Sequence, residues 1–249
     1  HWWLKSDSAQ VNGSEIAGGL TSSYTINLPQ SGVYGVAVNK GTGSVSSIRF
    51  SNIGDKLKLL EVNQWGNNPW TSMQEAFYGC TNLTILATDI PDLSQATNLS
   101  FMFGRCSSIA LIPNIENWDV SNVTNMSYMF YNASAFNQSL NNWNVGNATN
   151  MNNMFRGALG FNQPLNNWNV SNVTDMYGMF YNATAFNQPL DKWNVSKVTN
   201  MSYMFVNAAA FDQPLNNWNV SKVTNMSFMF YNASAFNQPL NDWNVGNVT

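Results

Sequence analysis

Residues 143–167 read WNVGNATNMNNMFRGALGFNQPLNN, and Trp168 then begins the phrase again. The same 25-residue spacing carries Trp118, Trp143, Trp168, Trp193, Trp218 and Trp243 without an insertion. A second series, Phe130, Phe155, Phe180, Phe205 and Phe230, keeps step with it. A unit this short cannot bury its own apolar side, so each is expected to be one turn of a stack completed by its neighbours. The predicted fold class is an α/β repeat solenoid, an irregular stack of short strands and short helical turns.

Within the quoted unit the apolar positions are Trp143, Val145, Ala148, Met151, Met154, Phe155, Ala158, Phe161 and Leu165. From Ala148 to Phe155 the steps are 3, 3 and 1, which predicts a short helical stripe of about two turns. Thr149 is placed to cap it. Such a piece is unstable alone, so neighbouring coils must hold it. Ala133, Ala158, Ala183, Ala208 and Ala233 form a column of small side chains where the backbone turns close to its neighbours. FNQPL then supplies an extended piece, a brief strand ending near Pro164 and its equivalents Pro189, Pro214 and Pro239. Trp, Met and Phe are expected to stack internally, with Met filling gaps between rings. Asn137, Asn162, Asn187, Asp212 and Asn237 share one column, and Gln138, Gln163, Gln188, Gln213 and Gln238 the next. These side chains suit amide ladders along the stack, with a ligand role as the alternative.

Upstream, Phe103 and Phe77 continue the Phe column at spacings of 27 and 26. That register puts Cys80 and Cys106 in the Ala column, where either a disulfide or a free buried pair fits. Residues 71–117 are therefore expected to be degenerate coils, and 118–249 the regular repeats. Residues 1–70 differ. SYTINLPQSGVYGVAVNKG and SVSSIRF alternate apolar and polar residues around Gly and Pro, and LKLLEV reads as a further strand, so this region is expected to be a β-rich N-terminal cap. About seven coils follow it. The chain opens on His1 and stops inside a repeat, which suggests a trimmed product whose array continued beyond Thr249.

Charged residues make up 9% of the chain, against roughly 25% in ordinary soluble domains. Net charge is −3 and the few Lys and Arg form no stripe, so nucleic acid is not an expected partner. No apolar run approaches the ~20 residues of a membrane span. The polar surface is neutral and rich in Asn, which suits an outer-surface protein.

The phrases WDVSNVTNMSYMF at 118–130, NASAFNQPL at 232–240, and LKLLEVNQWG with PWTSMQEAF at 57–77 resemble the BspA-like leucine-rich-repeat surface proteins. The resemblance is to their divergent Mycoplasma-type surface-repeat branch and covers about residues 55–249. It implies an extracellular or cell-surface protein, bacterial in origin, with an irregular leucine-rich-repeat solenoid. For some members it implies adhesion or contact with host and matrix. Leu is here largely replaced by Trp, Met, Val and Phe, so a horseshoe curvature is not expected.

Nothing in the chain asks for catalysis. His1 is the single histidine, too little for a copper site without a second strong ligand. Asp175, Asp191, Asp212 and Asp242 occupy different repeat columns and form no general acid–base pair. Serines lack a His–acid partner, and no Gly-rich phosphate loop or zinc spacing is present. No cofactor or metal is expected. Sequons at Asn122, Asn132, Asn169, Asn182, Asn219 and Asn232 follow automatically from copying the phrase. The Thr column of Thr124, Thr149, Thr174, Thr199, Thr224 and Thr249 suggests ordered water or ice, but it is one column only. Tyr128, Tyr131, Tyr181, Tyr203 and Tyr231 lie beside the Met–Phe core columns and are the candidate ligand-binding residues, interrupted by Asn153, Arg156 and Val206. The expected function is a non-catalytic extracellular adhesin or recognition scaffold. Its partners are a glycan or protein on a host, a neighbouring cell or matrix, with multivalency combining weak contacts. The alternative is homo-assembly into a filament or surface layer.

Overall fold

The computed structural model describes the strands Trp2–Leu4 and Tyr34–Val36 together with residues 47–249, in two units, His1–Val45 and Ser46–Thr249. In the first unit, β1 (Trp2–Leu4) pairs antiparallel with β2 (Tyr34–Val36), Trp3 opposite Gly35. β2 lies inside the stretch expected to form strands. The remaining strands expected before residue 47 lie outside the described residues.

The second unit begins before the repeats, so residues 46–70 of the expected cap cluster with them. LKLLEV divides into a 3-10 turn at Lys56–Lys58 and a short strand β3 (Glu61–Val62). β3 pairs in parallel with β4 (Thr84–Ile85), Glu61 opposite Thr84. From there, parallel contact continues as single rungs: Asn98, Asn125, Asn150, Asp175, Asn200 and Asn225 each bridge to the next.

The stripe at 148–155 is not a helix, and no α-helix occurs among the described residues. Its backbone alternates between two kinds of hydrogen bond. The N–H groups of Met151, Asn153, Phe155 and Gly157 donate to the carbonyls of Asp175, Tyr177, Met179 and Tyr181 in the following repeat, at 3.1, 2.7, 3.0 and 2.7 Å. Between them, Met154, Arg156 and Ala158 donate to Met151, Asn153 and Phe155, three residues back, at 3.3, 3.1 and 3.1 Å. The three-residue step read from the sequence thus belongs to a run of tight turns. Two left-handed residues per repeat produce it, at φ 52° for Asn153 and 70° for Gly157. Each reverses the local twist and swings alternate N–H groups outward to the neighbouring repeat, which an α-helix cannot do. The second left-handed column is Asn132, Gly157, Asn182, Asn207 and Asn232, the residue types that tolerate this conformation best. FNQPL forms no strand; successive copies are joined through side chains instead.

The apolar columns form the core. Phe130, Phe155, Phe180, Phe205 and Phe230 stack at 5.6–5.7 Å between centroids, and Phe155 also stacks on Phe161 of its own repeat at 4.1 Å. Trp168, Trp193, Trp218 and Trp243 stack at 6.3–6.4 Å with almost parallel rings. Each of the later indole N–H groups is satisfied inside this core. Trp193 Nε1 donates to Leu165 O at 2.9 Å, and Trp143, Trp168, Trp218 and Trp243 do the same 28 residues back. Leu carbonyls that begin the turn into each Trp therefore take two donors. Trp65 and Trp70, ahead of the repeats, and Trp118, at the start of the regular ones, leave Nε1 buried without a partner.

Candidate functional site

Outside this core, alternate side chains of the turn segment point away from the Met–Phe columns and form two rows. The first row runs Phe101, Tyr128, Asn153, Gly178, Tyr203 and Phe228, all but Asn153 and Gly178 aromatic. Phe101 stacks on Tyr128 at 4.3 Å, and Tyr203 on Phe228 at 5.2 Å. The second row holds Tyr131, Arg156, Tyr181, Val206 and Tyr231. Tyr131 meets Tyr128 edge-on at 5.6 Å, and Tyr231 meets Phe228 at 5.9 Å. Arg156 lies over the Tyr181 ring at 4.1 Å, and Arg105 over Tyr131 at 5.6 Å.

The five tyrosines singled out from the sequence therefore share one surface, although not as free side chains. Tyr128, Tyr131, Tyr181 and Tyr203 are half-buried, and Tyr231 is 57% exposed. Burial lifts the Tyr128 hydroxyl above its ordinary pKa, with Arg156 opposing the shift. A hydrogen bond to Tyr131 raises Arg105. The sequence reading missed Phe101, Phe228 and Tyr177 as members of the strip. Phe101 was legible through the 27-residue register of Phe103 to Phe130, and Phe228 stands in the Tyr column itself. Tyr177 sits one position off that column and was not legible, yet its ring reaches Tyr203 at 5.5 Å.

Where the rows break, polar groups crowd together. Asn153 is fully buried, and Arg156 donates to its Oδ1 at 3.3 Å. Asn152 Nδ2 donates to Asp175 Oδ2 at 3.1 Å. Asn152 Oδ1 and Asn153 Nδ2 are buried with no hydrogen-bond partner, a loss of about 1–3 kcal/mol apiece. The chain could have kept Ser and Tyr there, as the neighbouring repeats do.

The amide columns on the FNQPL face are ladders. Asn162 Oδ1 accepts from the Asn187 backbone N–H at 2.9 Å and from Gln188 Nε2 at 3.0 Å, and Asn137 and Asn187 repeat the arrangement. The rung needs only an oxygen, so Asp212 fits it unchanged, accepting from Asn237 and Gln238 at 2.9 Å each. Those two donors hold its carboxyl below the usual range, Asn237 first. Thr149 N–H and Oγ1 both donate to Thr124 O, at 2.9 and 3.3 Å, and the column repeats this to Thr249. The Thr hydroxyls are thus partly committed to joining repeats.

Cys80 and Cys106 are free and buried, Cys106 Sγ donating to Phe77 O at 3.0 Å. Burial pushes the Cys80 thiol up to about 12 and Cys106 upward as well, so both stay protonated at neutral pH. Among the described residues no group of three or more His, Cys, Asp or Glu is placed to hold a metal ion. No helix among them is long and apolar enough to cross a membrane.

These features define a tandem-repeat protein whose core columns are apolar and whose outer columns carry aromatic and amide rows. The chain belongs to the family described as Mycoplasma protein of unknown function, DUF285, which matches residues 71–187 and 160–249. No curated protein matches it, and no solved structure does.

Proposed function

We propose that this chain is a non-catalytic surface adhesin or recognition scaffold, built as an irregular repeat solenoid of the BspA-like leucine-rich-repeat kind and displayed outside a bacterial cell. The observation that carries the reading is the strip of partly exposed rings from Phe101 to Tyr231, in which Tyr128, Tyr131, Tyr181 and Tyr203, all inside the array, stay half-exposed. Aromatic side chains with a polar tip contribute large contact area at low entropic cost and suit glycans and proteins alike. Their recurrence in successive repeats lets weak contacts add on an extended partner. The protonated, buried thiols of Cys80 and Cys106 argue against a nucleophilic role for either. The family match supports a bacterial source.

The test is adhesion of beads carrying the purified chain to eukaryotic cells and to matrix-coated surfaces. Wild-type beads should adhere, and beads carrying Tyr231→Ala with Phe228→Ala should adhere several-fold less, as multivalent contacts are thinned. Beads that never adhere, from a chain that forms ordered filaments or sheets by electron microscopy, would replace this reading with structural assembly.

A further inference from the structure

We infer that the break in the aromatic row at Asn153 and Gly178 is a saccharide subsite, which holds one pyranose unit of a glycan through a vicinal pair of hydroxyls. The inference rests on the recognition reading above and gives it a location and a ligand class.

Three repeats spell their turn segments almost identically: NMSYMFYNASAF at 125–136, NMSYMFVNAAAF at 200–211 and NMSFMFYNASAF at 225–236. The two between them read NMNNMFRGALGF at 150–161 and DMYGMFYNATAF at 175–186. Every core position, the two Met, the two Phe and the Ala, is kept in both. The changes fall on the outward positions, and they meet in space. Asn153 N donates to Tyr177 O at 2.7 Å, and Asn152 Nδ2 reaches Asp175 at 3.1 Å. They are also coupled. A Cβ at residue 178 would stand 2.6 Å from Asn153 Oδ1, so Gly178 in the next repeat leaves room for the buried carboxamide as it sits.

Two successive positions thus carry no ring, over about 10 Å at the usual spacing of paired backbones. Both are buried, Asn153 beneath Arg156, so a ligand reaches the amides by displacing that side chain. Half-buried Tyr128 stands at one end and Tyr203, met by Tyr177, at the other. In the interval lie one uncommitted acceptor, Asn152 Oδ1, and one uncommitted donor, Asn153 Nδ2. Arg156 roofs Asn153 through a single 3.3 Å bond and lies over the Tyr181 ring at 4.1 Å, the two contacts an incoming saccharide has to replace. Adjacent sugar hydroxyls each donate and accept, and one vicinal diol satisfies both amide groups. The C–H face of the same ring packs against a tyrosine. Arg156 and Asp175 supply further planar polar groups at the rim.

The experiment applies the full 249-residue chain to an array of immobilised neutral and acidic oligosaccharides and titrates the best-bound one by calorimetry. One variant combines Asn152→Ser, Asn153→Tyr, Arg156→Tyr, Gly157→Asn, Tyr177→Ser and Gly178→Tyr, spelling both segments as the other repeats do, so it should fold at least as stably. A second, Asn153→Asp, replaces the donor by an acceptor of the same shape. Both should weaken binding by about tenfold or more, and Lys222→Ala, at an exposed position outside the tyrosine rows, should leave it within about twofold. No captured saccharide, adhesion to protein surfaces only, or equal affinity in the combined variant overturns the subsite. Loss on Tyr231→Ala with the subsite variants unchanged also overturns it, while keeping recognition on the tyrosine row. A saccharide bound as expected by a chain whose beads adhere to nothing sinks the adhesion reading alone.

Discussion

Trp193 illustrates how much one residue carries. Its ring stacks between Trp168 and Trp218, while its Nε1 donates to a carbonyl 28 residues back. Trp193→Phe keeps most of the stacking and loses the hydrogen bond, so it should cost about 1–2 kcal/mol in urea unfolding. Trp193→Ala removes the ring as well and should cost about 3–5 kcal/mol. Equal effects from the two would mean that the buried bond contributes nothing. Asp212 tests the amide ladder through pH. Its pKa is lowered in the folded chain, so its contribution is present above the ordinary carboxylate range and is lost as pH falls through the folded value. Asp212→Asn keeps the accepting oxygen without the titration. The wild-type thermal midpoint should therefore drop relative to the variant between neutral pH and about pH 3. Parallel profiles would show that Asp212 is not held by Asn237 and Gln238.

At the scale of the element, the turn segment exists because left-handed residues recur within it. Asn132 has φ 53° and stands in the same column as Gly157. Asn132→Gly should be close to neutral, whereas Asn132→Ala should cost about 1–2 kcal/mol, since Ala meets the left-handed penalty without local hydrogen bonding. Equal stability of the two, by thermal melting, would mean that the segment can abandon this conformation. The three-residue apolar step was visible in the sequence, but its meaning was not. A helix and a run of tight turns both advance by three, and periodicity alone does not distinguish whether N–H groups close onto their own repeat or the next. Tyr128 and Tyr203 sharpen the point, since aromatic residues rarely adopt positive φ and give no sequence signal for it.

For the whole molecule, the sequence period should set what can be removed. Deleting residues 168–192 joins Asn167 to Trp193 and keeps every column in register, leaving a chain that still unfolds cooperatively at lower stability. Deleting one residue fewer shifts all later columns by one, and should abolish the cooperative transition followed by circular dichroism. If both deletions unfold alike, adjoining repeats do not depend on one another. The tyrosine surface belongs to this scale too. The sequence identified its five members because each neighbours a core column, but their packing on Phe101, Phe228, Arg105 and Arg156 links residues from different repeats.

By itself, the sequence determined the 25-residue period, the apolar columns and the amide column whose oxygens join neighbours. These follow from residue type at fixed spacing, because an identical environment recurring at each repeat selects the same side chain each time. The tertiary structure alone decided that the stripe is turns and not helix, that the cysteines are free, and that Asn153 is buried against Gly178. Those outcomes depend on where backbone and side-chain groups of adjacent repeats meet, and hydrogen-bond partners 25 residues apart are chosen by that approach and not by local sequence.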